Sequence, residues 1–74
     1  MIKEHERAAL TVDLPEYGLL TGDIGTVVHI YPGKAAYELE MIAADGTTLN
    51  VVTVERDAVR PLNRADILHA RSIA

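Results

Sequence analysis

Three histidines are the first residues to test for chemistry, because imidazole can ligate a metal or move a proton near neutral pH. His5, His29 and His69 lie in three distant segments, and no HxH or HxxxH spacing exists. The chain has no cysteine, which excludes thiolate ligands and disulfides alike. Glu38 and Glu40 stand two residues apart in a β-rich run. On a strand that spacing puts both carboxylates on one face, about 7 Å apart. Paired carboxylates do acid–base work only where a pocket splits their pKa values, and a chain of 74 residues rarely encloses one. A solvated strand or a contact with a partner's basic surface is the simpler role. Ser72, the only serine, lies in the tail with no nucleophile elbow around it. Gly22-Asp23-Ile24-Gly25 lacks the lysine and the following helix of a phosphate-binding loop. These residues predict no catalytic centre, no metal and no cofactor, hence a protein that is not an enzyme.

The elements that carry them read as short strands. Residues 1–7 form a polar, flexible N-terminal arm. Leu10 and Val12 alternate with Thr11 and Asp13 in a first strand over 8–14, which Pro15-Glu16-Tyr17-Gly18 stops. Thr21 to Gly25 is a tight turn ahead of a strand over 26–31, closed by Pro32-Gly33-Lys34. Strands over 37–43 and 47–54 flank Ala44-Asp45-Gly46, where Asp-Gly between two β-rich runs is a strong hairpin signal. One helical or 3-10 turn at 55–58 leads to a short last strand over 59–62, which Pro61 marks as an edge or a terminus. Five strands with turns this frequent predict an all-β domain over 8–62, a small barrel or sandwich. Tryptophan and phenylalanine are absent and tyrosine occurs three times, so the core is aliphatic. Residues 63–74 form a separate tail. Asn63 as N-cap, Asp66 in the first turn and Arg71 in the last predict a short C-terminal helix over about 64–72, with Ile67 and Leu68 as its apolar face.

The hairpin register sorts the side chains. A two-residue Asp45-Gly46 loop sets Ala44 opposite Thr47, Ile42 opposite Leu49, Glu40 opposite Val51, Leu39 opposite Val52 and Tyr37 opposite Val54, and cross-strand partners share a face. Tyr37, Leu39, Met41, Val52 and Val54 then form a core face. The opposite face holds Glu38, Glu40, Ile42, Leu49, Val51 and Thr53, which is mixed where a solvated face should be polar. Strands that bend and change face, a covering arm or tail, or a bound partner or second copy would each account for it. A three-residue loop would slip this register.

Charge narrows the partners. Eleven acidic against seven basic residues give a net charge of −4, whereas a nonspecific nucleic-acid binder carries a basic surplus. Residues 35–59 carry five acidic side chains against Arg56 alone, while 60–74 carry Arg60, Arg64 and Arg71 against Asp66. Such an acidic sheet can steer a basic partner by long-range attraction. No apolar run is long enough to span a membrane, and the charged N-terminus predicts no signal peptide, so the expected location is cytoplasmic.

Gly22-Asp23-Ile24-Gly25-Thr26-Val27-Val28 is similar to the opening of SH3-like barrels, including KOW modules. More of the chain resembles a small bacterial family, the domain of unknown function 4926. The resemblance is carried by Leu14-Pro15, Leu19-Leu20, Gly22 to Val28, Tyr31, Tyr37-Glu38-Leu39-Glu40, Asp45-Gly46, Val51 to Val54 and Arg60-Pro61-Leu62, roughly residues 10–62. It implies a five-stranded SH3-like barrel and suggests a two-gene module of the toxin–antitoxin kind.

The reading that results is a non-enzymatic protein-interaction module, an antitoxin-like partner of a neighbouring gene's product. Its expected surface comprises Glu38, Glu40, Ile42, Leu49 and Val51, with Tyr31 and the tail's Ile67 and Leu68 beside it. A second copy of the chain is the alternative occupant. Two other readings stay open: a KOW-like RNA- or DNA-binding domain using the 21–25 and 32–34 loops with Arg60, Arg64 and Arg71, and an accessory subunit of an enzyme complex.

Overall fold

The computed structural model describes residues 2–73. Met1 and Ala74, the outer ends of the predicted arm and tail, lie outside the described residues. Five strands form one antiparallel sheet: β1 (Arg7–Leu10), β2 (Ile24–Ile30), β3 (Ala36–Ile42), β4 (Thr48–Glu55) and β5 (Val59–Pro61). Their order is β4-β3-β2-β1-β5, so the last strand returns beside the first. The sheet is open, with β4 and β5 as its two edges. The only helical pieces among the described residues are 3-10 turns at Pro15–Tyr17, Pro32–Lys34 and Arg56–Ala58.

The core lies on one face of this sheet. Val27, Tyr37, Leu39, Met41, Val52 and Val54 are buried there with Ile2, Ala8, Leu10, Leu19 and Val59. The five hairpin residues read from the sequence as the core face all take part. Ile2 joins them from the segment assigned to the arm, and that segment also bonds to β2, where the His5 N–H donates to the Val27 carbonyl. β1 is shorter than the alternation predicts. The Thr11 N–H still donates to the Ala58 carbonyl in register with β5, and its hydroxyl donates to the Asp57 carbonyl, while the next residue, Val12, is exposed.

Gly25 has a role other than the turn expected of it. It sits inside β2, and a Cβ there would lie 2.6 Å from both Leu39 Cγ and Met41 Sδ and 2.9 Å from the Glu40 carbonyl oxygen. Only glycine lets β3 and its core side chains close onto β2 at this point.

The hairpin corrects the predicted register at its tip. The Ala43 N–H donates to the Thr47 carbonyl and the Gly46 N–H to the Ala43 carbonyl, closing a three-residue loop. Gly46 takes the left-handed conformation that such a loop requires. Ile42 therefore pairs with Thr48 rather than Leu49, and Ala44 lies in the loop rather than opposite Thr47. Leu49 is then the extra residue of a β-bulge. Pairing resumes at Met41 with Asn50, and beyond it Glu40–Val51, Leu39–Val52 and Tyr37–Val54 hold as expected. Without the bulge the longer loop would rotate Val52 and Val54 out of the core.

The tail is the larger correction, because no helix forms over 64–72. Asn63 does begin a turn: its side-chain carbonyl accepts the Ala65 N–H, and its backbone carbonyl accepts the Asp66 N–H. The turn does not propagate. Nucleating a helix is costly at this length, and the groups that would extend it are committed elsewhere. The Asp66 carboxylate accepts the Asn63 N–H and both terminal nitrogens of Arg60. Arg71 is drawn to Asp23, across the molecule.

Candidate functional site

Alternation along β2, β3 and β4 places the non-core side chains on the outer face of the sheet. One cross-strand row runs Arg7–Thr26–Glu40–Val51, and the next joins His29 to Glu38 and Thr53. The carboxylates in these rows are held by their neighbours. Glu38 accepts the Tyr31 hydroxyl at 2.9 Å and the Thr53 hydroxyl, and Glu40 accepts the Thr48 hydroxyl at 2.7 Å. The bond to Glu38 holds the Tyr31 phenol above its ordinary pKa, since losing the proton would break it. The Tyr31 ring also packs at a right angle to the His29 ring, 4.8 Å away between centroids. Side chains fixed in this way lose less freedom when a partner binds.

The apolar members of the face are open to solvent. Ile42 is 45% exposed, Leu49 41% and Val51 51%. The bulge explains Leu49, because an inserted residue re-aims its side chain. Beside these residues the tail and the hairpin enclose a groove of about 680 Å³. Its walls include Ile24 of β2, Glu40 and Ile42 of β3, Leu49 of the bulge and Leu68 of the tail. Of the residues predicted for a partner surface, Glu40, Ile42, Leu49 and Leu68 thus meet at one groove. Val51 adjoins it through its pairing with Glu40. Glu38 lies farther along the face, bonded to Tyr31 and Thr53. Ile67 does not line the groove and is 88% exposed.

Pattern reasoning missed the clamp at the other rim. Arg71 reaches both carboxylate oxygens of Asp23, and its Nη2 also donates to the Gly18 carbonyl at 2.8 Å. Asp23 additionally accepts the Leu20 N–H. The Arg71 guanidinium holds the Asp23 carboxyl below its ordinary value, and Arg60 does the same for Asp66. The only sequence signal was an acid in a Gly-Asp turn and a lone arginine near the end of the tail, with nothing to pair them. The clamp also bears on the cations considered for a nucleic-acid interface, because Arg60 and Arg71 are each occupied by a carboxylate. Among the described residues no polar or charged side chain is buried, and no three His, Asp or Glu side chains gather as a metal site would require.

This outer face and its groove have no counterpart of known role to lean on, since no curated protein and no solved structure matches the chain. A family model described as Domain of unknown function (DUF4926) matches residues 4–61. That span takes in all five strands, the 3-10 turns between them and most of the segment read as an arm, and it leaves the tail outside. With the larger part of its length matched, the chain belongs to the DUF4926 family.

Proposed function

We propose that the chain is a non-enzymatic protein-interaction module that binds a neighbouring gene's product through the outer face of its sheet. The observation that carries this reading is the solvent exposure of Ile42, Leu49 and Val51, three aliphatic side chains together on one face. Isolated apolar residues are ordinary on a surface, but a group of them rimmed by polar side chains marks a contact site. Ile42, Leu49 and Val51 supply the apolar contact, while Glu38 and Glu40 orient a basic partner and speed its approach. In the most specific version the partner is a toxin and this chain neutralises it. We read the fold as an SH3-like barrel left open between β4 and β5; the return of the last strand beside the first, after a 3-10 turn, supports this.

The test is capture of partners by the tagged chain from its native host, with Val51→Lys and Ile42→Lys as controls. The proposal expects one protein recovered in stoichiometric amount with the unaltered chain and lost with either variant, while the circular dichroism of all three chains agrees. Recovery of no stoichiometric partner, or of the same one by both variants, contradicts it.

A further inference from the structure

The tail is a non-helical segment fastened at two points. At its root, Arg60 donates from two nitrogens to the two oxygens of Asp66, each at 3.0 Å. At its far end, Arg71 makes the same two-point contact with Asp23 and a third bond to the Gly18 carbonyl. Little apolar surface is buried between them, since Ile67 is almost fully exposed and Leu68 is 57% exposed. The far anchor is the Arg71 guanidinium in a site built by the domain, with Ile73, 41% exposed, beside it near Gly18. That site has two kinds of acceptor, a carboxylate that takes two guanidinium N–H groups and a backbone carbonyl that takes a third bond. Asp23 lines the same groove as Ile42 and Leu49, and both of these apolar side chains stay exposed beside the tail. Gly18 and Asp23 lie within the residues the family model matches, whereas Arg71 lies outside them.

We propose that this groove is the receptor for an extended, arginine-bearing segment of the partner protein, and that the chain's own tail holds the place of that segment in the unbound state. This deepens the interaction-module reading and rests on it. An incoming segment displaces the tail by setting its own arginine against Asp23 and the Gly18 carbonyl and continuing across Leu49 and Ile42, which the tail leaves exposed. The tail competes at an effective concentration on the order of millimolar, as a short tether allows. Only a segment that adds these apolar contacts wins the site.

The experiment uses a labelled peptide of residues 62–74 of this chain and the full-length chain carrying Arg71→Glu, whose own tail Asp23 repels. Saturable binding is expected, about tenfold tighter than to the unaltered chain, whose tail competes. The same peptide with Arg71→Ala should bind at least about tenfold more weakly. So should the original peptide on a receptor that also carries Asp23→Asn. The peptide change leaves the receptor untouched, so a folding defect cannot imitate its effect. No saturable binding, or equal binding of the two peptides, overturns the proposal. That result would leave the capture experiment on Val51 and Ile42 unaffected, so the receptor claim and the interaction reading fail separately.

Discussion

Arg71 and Asp23, separated by 48 positions in the chain, are joined by two parallel bonds, Nε to Oδ1 at 2.9 Å and Nη2 to Oδ2 at 2.5 Å. Asp23 is also the carboxylate that accepts the Leu20 N–H in the turn leading into β2. One side chain thus fixes a local turn and fastens the end of the chain. This double use makes the position of the tail's far end depend on the ionisation of Asp23.

The dependence on pH has a definite sign. Arg71 lowers the Asp23 pKa below the ordinary 3.8, and Arg60 lowers that of Asp66. Groups with depressed values contribute fully above the ordinary carboxylate range, and the contribution is lost as pH falls through the lowered values. Backbone amide signals of residues 67–73 should therefore hold their positions from pH 7 down to about 4 and move towards random-coil values below that. In Arg71→Ala they should sit near random-coil values throughout. A transition near neutral pH would contradict this account.

Gly25→Ala should destabilise the domain by about 1–3 kcal/mol, because the added methyl meets the Glu40 backbone as well as two core side chains. Side chains can shift, but the neighbouring strand cannot retreat without breaking its ladder. Urea denaturation measures the loss, and an unchanged midpoint would show that β2 and β3 are not so closely apposed.

Deleting Leu49 should leave the fold intact. The bulge exists because the loop is one residue longer than the core pairing requires, so its removal keeps Leu39 opposite Val52 and Tyr37 opposite Val54. A dispersed amide spectrum and a stability within about 1 kcal/mol of the unaltered chain are expected, together with weaker partner capture. Loss of the folded spectrum would show that Leu49 is needed for the core.

The two faces of the β3–β4 hairpin should respond differently to substitution. Leu39→Ala empties a fully buried position and should cost about 2–5 kcal/mol. Ile42→Lys and Val51→Lys alter exposed positions and should stay within about 0.5 kcal/mol of the unaltered chain. Thermal denaturation separates the two classes.

The contrast between hairpin and tail shows what is legible in such a sequence. Tyr37, Leu39, Met41, Val52 and Val54 could be assigned to the core because a strand's period of two is set by local geometry and turn chemistry limits the register. The same alternation exposed the anomaly of Ile42, Leu49 and Val51. The slip at Leu49 was not legible, since Asp45-Gly46 suits both a two-residue and a three-residue loop. Asn63 reads as a helix N-cap, but it starts only a single turn. The continuation was misread because Arg60 and Asp23, distant in the chain, decide where Asp66 and Arg71 go. The burial of Ile2 and the close packing at Gly25 likewise follow from strands that meet only in the folded sheet.

The claim on which the rest turns is that the outer face is made to be covered by another protein. Light scattering on the purified chain mixed with its neighbouring gene product measures this directly. The account predicts a complex with the summed mass of the two proteins, which separates when Ile42→Lys and Val51→Lys are combined. Two independent species at every concentration, or a complex indifferent to both substitutions, would contradict it.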